Sequence, residues 1–204
     1  MSLSVTPQQA RSKLTKDLLC DAAEQLLREG GLECCTVQEV ARRSGRSVGS
    51  IYRRFGDKNG MLSAVMEHYV ARAMVLNADN LAALASLQTL DQKIKVLVSG
   101  AIEGRSRDWR LVEALRDAAK ASGNERLREA VAQSRRQVTD LISGAILSSR
   151  DEILGPDPDR AAALAVSLLT SVVDNLVGAE PCSWSRDELC GELSKVLLSY
   201  LKSA

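Results

Sequence analysis

The sequence predicts an all-α protein in two parts, a small helical domain over residues 10–57 and a larger one over residues 58–204. Three observations carry this. Helix-start signals recur along the chain, and apolar residues recur three and four positions apart. No segment alternates with the period of two that a half-buried strand requires. Composition agrees. Hydrophobic residues make up 45% of the 204 residues and aromatics only 3%, so the core must be mostly Leu, Val, Ile and Ala. Charged residues, at 26%, are ordinary for a folded domain and argue against disorder.

The elements follow in order. Leu14, Leu18, Ala22 and Leu26 share a face, Leu19, Ala23 and Leu27 lie beside it, and Gly30-Gly31 ends that helix. Thr36-x-x-Glu39 has capping-box form, in which a hydroxyl accepts from an early amide and a carboxylate reaches back. Gly45 supplies a turn, and Ser47 caps a second short helix ending near Phe55. Val40, Ala41, Ile51 and Phe55 join these two helices, with small Ala41 permitting close approach. Leu62, Val65, Met66, Tyr69, Val70 and Ala73 describe a further helix, which begins at Asp57. Gly60 is expected to loosen its first turn by roughly 1 kcal/mol of propensity. Thr89-x-x-Gln92 opens another helix, and Leu127, Val131, Val138, Leu141, Ala145 and Ile146 line a long one. Asp157-Pro158 sets a capping carboxylate before a first-turn proline, and Ser185-x-x-Glu188 opens the last helix.

The last two helices differ from the rest. Over 161–177 apolar residues surround the circumference, so this helix must be covered on two sides. One reading is a central core helix with the helix over 188–201 as its lid. The other is that the pair also packs on a second copy across a two-fold axis, through Leu169, Val173, Leu176, Leu193, Leu197 and Tyr200.

Charge is uneven. Residues 1–60 carry net +3 and residues 61–204 net −2, within a chain of formal charge +1. From Arg42 to Lys58 six residues are Lys or Arg, opposed only by Asp57. A small basic head on a slightly acidic body suits a local anionic partner. The spacing over Thr36–Phe55 is that of a helix-turn-helix, whose second helix enters the DNA major groove by its N-terminal part. Small Ser47 and Ser50 let the backbone approach, with Arg46 beside them. Tyr52, Arg53, Arg54 and Lys58 supply a phenol and cations for phosphate oxygens.

"GGLECCTVQEVARRSGRSVGSIYRRFGDKNGML" resembles the N-terminal domain of TetR-family transcriptional regulators. The likeness rests on Gly31, Thr36, Gly45, Ser50, Ile51-Tyr52, Phe55 and Lys58, and covers about residues 12–70. It departs from the family at Arg54, where histidine is frequent, and at Asn59-Gly60, where an acidic helix start is frequent. The resemblance implies a homodimer that represses transcription at a palindromic double-stranded DNA operator and releases it when a small-molecule effector enters the C-terminal domain. It further implies that Thr36 and Lys58 contact phosphates, that Ser47, Val48, Gly49 and Ser50 face the bases, and that Tyr52 lies on the backbone. Activation in place of repression stays open, as does a helical protein-interaction module that binds no DNA.

Other classes have little support. There is no nucleophile–base pair, no phosphate loop and a single histidine, His68, so an enzyme is not expected. No cofactor or metal is expected either, since Cys20, Cys34, Cys35, Cys182 and Cys190 lack metal-type spacing. Buried thiols in a reducing cytosol are the plainer reading, with a redox role for adjacent Cys34-Cys35 as the alternative. The absence of a signal-type leader and of an apolar run of about 18 residues points to the cytoplasm and away from the membrane. Met74, Trp109 and Asp174 are candidate effector contacts, and Asp174 on an apolar helix needs a partner, a cationic ligand or a group across a dimer interface. An apolar effector pocket is expected between about Leu90 and Val177. The helix from Asp57 is expected to be the only segment joining the two parts.

Overall fold

A computed structural model describes residues 7–121, 123–177 and 184–203, with no side-chain description for residues 7, 8, 10 and 74–82. Met74 as an effector contact and Cys182 therefore lie outside what is described. The helices are α1 (Pro7–Cys34), α2 (Val37–Ser44), α3 (Val48–Phe55), α4 (Lys58–Ser86), α5 (Leu90–Ala121), α6 (Glu125–Leu147), α7 (Pro158–Leu176) and α8 (Arg186–Leu201). Among the described residues there is no strand, and the all-α class stands.

Side chains place the starts. Ser185 makes a complete capping box with Glu188, and Thr89 exchanges hydrogen bonds with Gln92. At Thr36 only half of the box forms: its hydroxyl accepts from the Glu39 amide at 3.1 Å, while the Glu39 carboxylate turns to Arg42. α1 passes through Gly30 and Gly31 with non-helical geometry, and Gly31 takes φ +66°, so the glycine pair breaks the helix there.

The chain divides into two compact units, one of Met1–Ala73 with Arg110–Gln133, the other of Met74–Trp109 with Ser134–Ala204. This division differs from a boundary after residue 57. It also corrects the expectation that one helix joins the two parts, because α4, α5 and α6 each contribute residues to both units. The first unit's core needs these additions. α1 with two short helices buries too little apolar surface alone, and Met61, Leu62, Val65, Leu111, Leu115 and Leu127 complete the cluster with Leu19, Leu27, Val40 and Ile51. Leu14 and Leu18 of the first row are exposed, whereas Ala22 and Leu26 of the same row are buried beside Leu19, Ala23 and Leu27.

In the second unit α7 and α8 pack on each other, and their buried faces hold Leu169, Val173, Leu193 and Leu197. These four were expected at a dimer interface; they are instead covered within the protomer. The outward faces carry Leu164, 46% exposed, and Val196, 54% exposed, with Tyr200 at the edge and Leu176 half-buried. Sequence periodicity marks a helix as apolar on several sides without saying which side its own core takes.

Candidate nucleic-acid interface

The site is built on the α2–α3 corner. Thr36 starts α2, and Gly45 ends it at φ +65°, ψ 26°, a left-handed conformation that a side chain would strain. The Gly45 and Arg46 amides turn back to helix carbonyls, with Arg46 donating to Ala41 at 3.0 Å. Val40, Ala41 and Ile51 lock the two helices from below. Ser47 caps α3: its Oγ accepts from the Ser50 amide at 3.2 Å and lies 2.9 Å from Ser50 Oγ. This leaves the first turn of α3 outward, with Ser47 and Gly49 exposed and Tyr52 half exposed. Val48 is half-buried against the core, so only part of it remains for a partner.

The basic cluster is not uniformly available. Arg42 is engaged by Glu39, Nε to carboxylate 2.9 Å, and Arg43 by Glu29 at 2.5 Å. Those hydrogen bonds hold both carboxyls below their usual range. Lys58 donates to the Leu32 carbonyl at 3.4 Å and is half-buried. Arg46 and Arg53 make no ion pair among the described residues, and the Arg54 guanidinium donates to Ser12 at 3.2 Å. Arg46, Ser50, Arg53 and Arg54 line one cleft of about 510 Å³ together with Ser12 and Thr15 of α1. The two α1 residues are not singled out by the helix-turn-helix pattern, which lies wholly downstream of them.

A separate polar cluster ties α1 to α4. Ligand-type atoms of Asp21, Glu24 and His68 lie within 4.8 Å of one another. Arg72 donates to Asp21 at 3.1 Å and to Glu24 at 2.6 Å, and Arg28 to Glu24 at 3.1 Å, so guanidiniums supply the counter-charge. Burial still raises the Glu24 carboxyl above its ordinary value, against the opposing pull of Arg72 and Arg28. In the second unit Asp174 lies 3.2 Å from Arg105 Nε, with side chains 27% and 11% exposed. Arg105 also donates to the Trp109 carbonyl at 3.2 Å. The partner that Asp174 requires thus comes from α5 of the same protomer.

A basic, two-helix corner presenting the start of its second helix defines a protein of the helix-turn-helix class. Residues 19–65 match bacterial regulatory proteins of the tetR family, and residues 89–201 match the tetracyclin repressor-like C-terminal domain. The chain belongs to the TetR family. It is 30% identical over 94 residues to the HTH-type transcriptional regulator BetI of Escherichia coli, a stretch covering 46% of this chain and 48% of that protein. The chain thus spans about half the length of the curated relatives it matches. A Saccharomonospora viridis protein, described as a transcriptional regulator in complex with choline, shares the fold at TM-score 0.73 and 17% identity, covering 91% of this chain and 96% of its own. FadR from Bacillus subtilis in complex with stearoyl-CoA aligns at TM-score 0.65 and 17% identity, over 90% and 97%.

Proposed function

We propose that the protein is a ligand-responsive, DNA-binding transcriptional regulator, acting as a repressor on a palindromic operator as a homodimer in the cytoplasm. The observation that carries this reading is the exposed first turn of α3, capped by Ser47 and flanked by Arg46, Arg53 and Arg54. Ser47, Gly49 and Ser50 approach base edges, with the outer part of Val48 beside them. Thr36, Tyr52, Arg53, Arg54 and Lys58 fix the helix on phosphates. Among the described residues no helix is long and apolar enough to cross a membrane.

One such helix reads only a few base pairs, so specificity requires two copies. The surface proposed for pairing is the outward face of α7 and α8, with Leu164, Leu168, Val172, Val196 and Tyr200. An effector acts from the 58–204 part, with Trp109 and the Arg105–Asp174 pair as its candidate polar contacts. The two solved ligand complexes, choline and stearoyl-CoA, belong to those proteins, and their chemical distance shows that the shared fold does not fix the ligand. The test is selection of bound duplexes from a random pool. A palindromic consensus is expected, and recovery of no sequence preference overturns the operator reading.

A further inference from the structure

The N-terminal turns of α1 hold positive charge outside the helix-turn-helix. No Asp or Glu precedes Asp17, whereas Arg11, Lys13 and Lys16 all do. The cleft of about 510 Å³ has Ser12 and Thr15 of this helix on one side and Arg46, Ser50, Arg53 and Arg54 on the other. Its lining contains guanidiniums and hydroxyls but no carboxylate. A concavity lined by one sign of charge concentrates counter-ions, and the guanidinium fork matches phosphate oxygens.

The hydroxyls divide the work. Ser12 Oγ accepts from Arg54 Nη1 at 3.2 Å, which aims that guanidinium and leaves the Ser12 hydrogen for an oxyanion. Thr15 spends its hydrogen on the Arg11 carbonyl at 3.0 Å, so toward the cleft it can only accept. The volume is many times the ~30 Å³ share of one water, which suits a phosphodiester with its flanking sugars.

We propose that this cleft seats a DNA backbone phosphate held jointly by α1 and the helix-turn-helix, with Ser12 of α1 as the positioning residue for Arg54. The proposal rests on the DNA-binding reading. Its chemistry is that of any phosphate oxyanion, so a free polyphosphate is the competing source.

The experiment uses the full chain and a duplex selected from a random pool, in which methylphosphonates neutralise one phosphate at a time. Ser12 is exposed, so Ser12→Ala and Ser12→Glu should keep the fold, which a thermal melt confirms. At one phosphate in each half-site, neutralisation should weaken the unsubstituted protein by about 5- to 10-fold. Ser12→Glu, whose carboxylate pairs with Arg54, should be insensitive there and show a salt slope smaller by about one. Ser12→Ala should lose roughly 3-fold in affinity on the intact duplex. If both variants match the unsubstituted protein in affinity, slope and scan pattern, the α1 seat is refuted while DNA binding stands. If even the unsubstituted protein binds no duplex, the underlying reading falls with it. If tripolyphosphate binds once per chain, is lost in Ser12→Glu and fails to compete with duplex, the backbone assignment is overturned.

Discussion

Gly60→Ala is the substitution on which helix propensity and packing disagree most sharply. Gly60 lies in the first turn of α4, where its amide donates to Asp57 Oδ1 at 2.7 Å. Propensity alone predicts that alanine stabilises the helix by about 1 kcal/mol. Space predicts the reverse. A β-carbon on Gly60 would stand 2.0 Å from the Phe55 carbonyl oxygen and 3.1 Å from its carbon. Those are backbone atoms at the end of α3, so relief requires moving the α3–α4 corner and cannot come from a rotamer change. Overpacking of this kind costs about 1–3 kcal/mol and more where backbone must move. The expected net destabilisation is about 1–2 kcal/mol, or a fall in Tm of roughly 2–8 °C for a chain of this size. Urea unfolding and thermal melts measure it, with Gly144→Ala as the control. Gly144 is an exposed α6 position where the added carbon meets nothing within 4 Å, so alanine there should stabilise by up to about 1 kcal/mol. Because the displaced corner carries α3, Gly60→Ala should also weaken duplex binding. A Gly60→Ala protein as stable as the parent would refute the close approach and restore propensity as the deciding term.

Val173→Asp and Leu197→Asp bury an unpaired charge in the protomer's own core and should destabilise folding by about 4 kcal/mol or more, seen as loss of the cooperative melt. Val196→Asp, on the outward face, should keep the melt but shift sedimentation from dimer to monomer. Burial pushes the Cys20 and Cys35 thiols from 9.0 up to about 12 and about 11. Both should resist a thiol reagent at pH 8 in the native state while exposed Cys34 reacts. The same raised values mean that the folded state binds more protons than the unfolded state above pH 9. Their contribution to stability is therefore complete below about pH 9 and is lost progressively toward pH 12, which alkaline unfolding curves of Cys20→Ala test by a flatter decline. Removing Arg54 or Lys58 should weaken binding to all duplexes and lower the salt slope by about one each, whereas changing Ser50 should alter the preferred sequence.

Much of the head was legible in the sequence because its signals are local. Thr36, Gly45, Ser47 and Asp157 announce themselves by side-chain chemistry within three or four residues, and each caps or turns the chain as expected. What was not legible depends on contacts distant in sequence. The periodicity of α1 gives two adjacent apolar stripes, and only the arrival of α4 and of Leu111 and Leu115 decides that both are buried from Leu19 to Leu27 while Leu14 and Leu18 stay exposed. Val173 and Leu197 are apolar whether they face the protomer or a partner, so pattern alone could not assign them. Arg42 and Arg43 counted as cations in the cluster, yet Glu29 lies fourteen residues from Arg43 and becomes its partner only in the fold. Ser12 lies 42 residues from Arg54, which hid the α1 side of the cleft. Gly60 reads in sequence as a propensity defect, and only the Phe55 carbonyl beside it explains the missing side chain.

If the Ser47–Lys58 surface engages duplex DNA as proposed, both phosphate contacts and base readout must be visible in binding. The most direct measurement is equilibrium binding, by fluorescence anisotropy, of the full chain to its pool-selected duplex and to a scrambled duplex between 50 and 200 mM salt. Log-linear weakening with salt is expected on both duplexes, with tighter binding to the selected one and a slope that falls by about one in Arg54→Ala. Absence of binding to either duplex at 50 mM salt would contradict it, as would binding whose slope is untouched by Arg46, Arg53, Arg54 and Lys58 substitutions together.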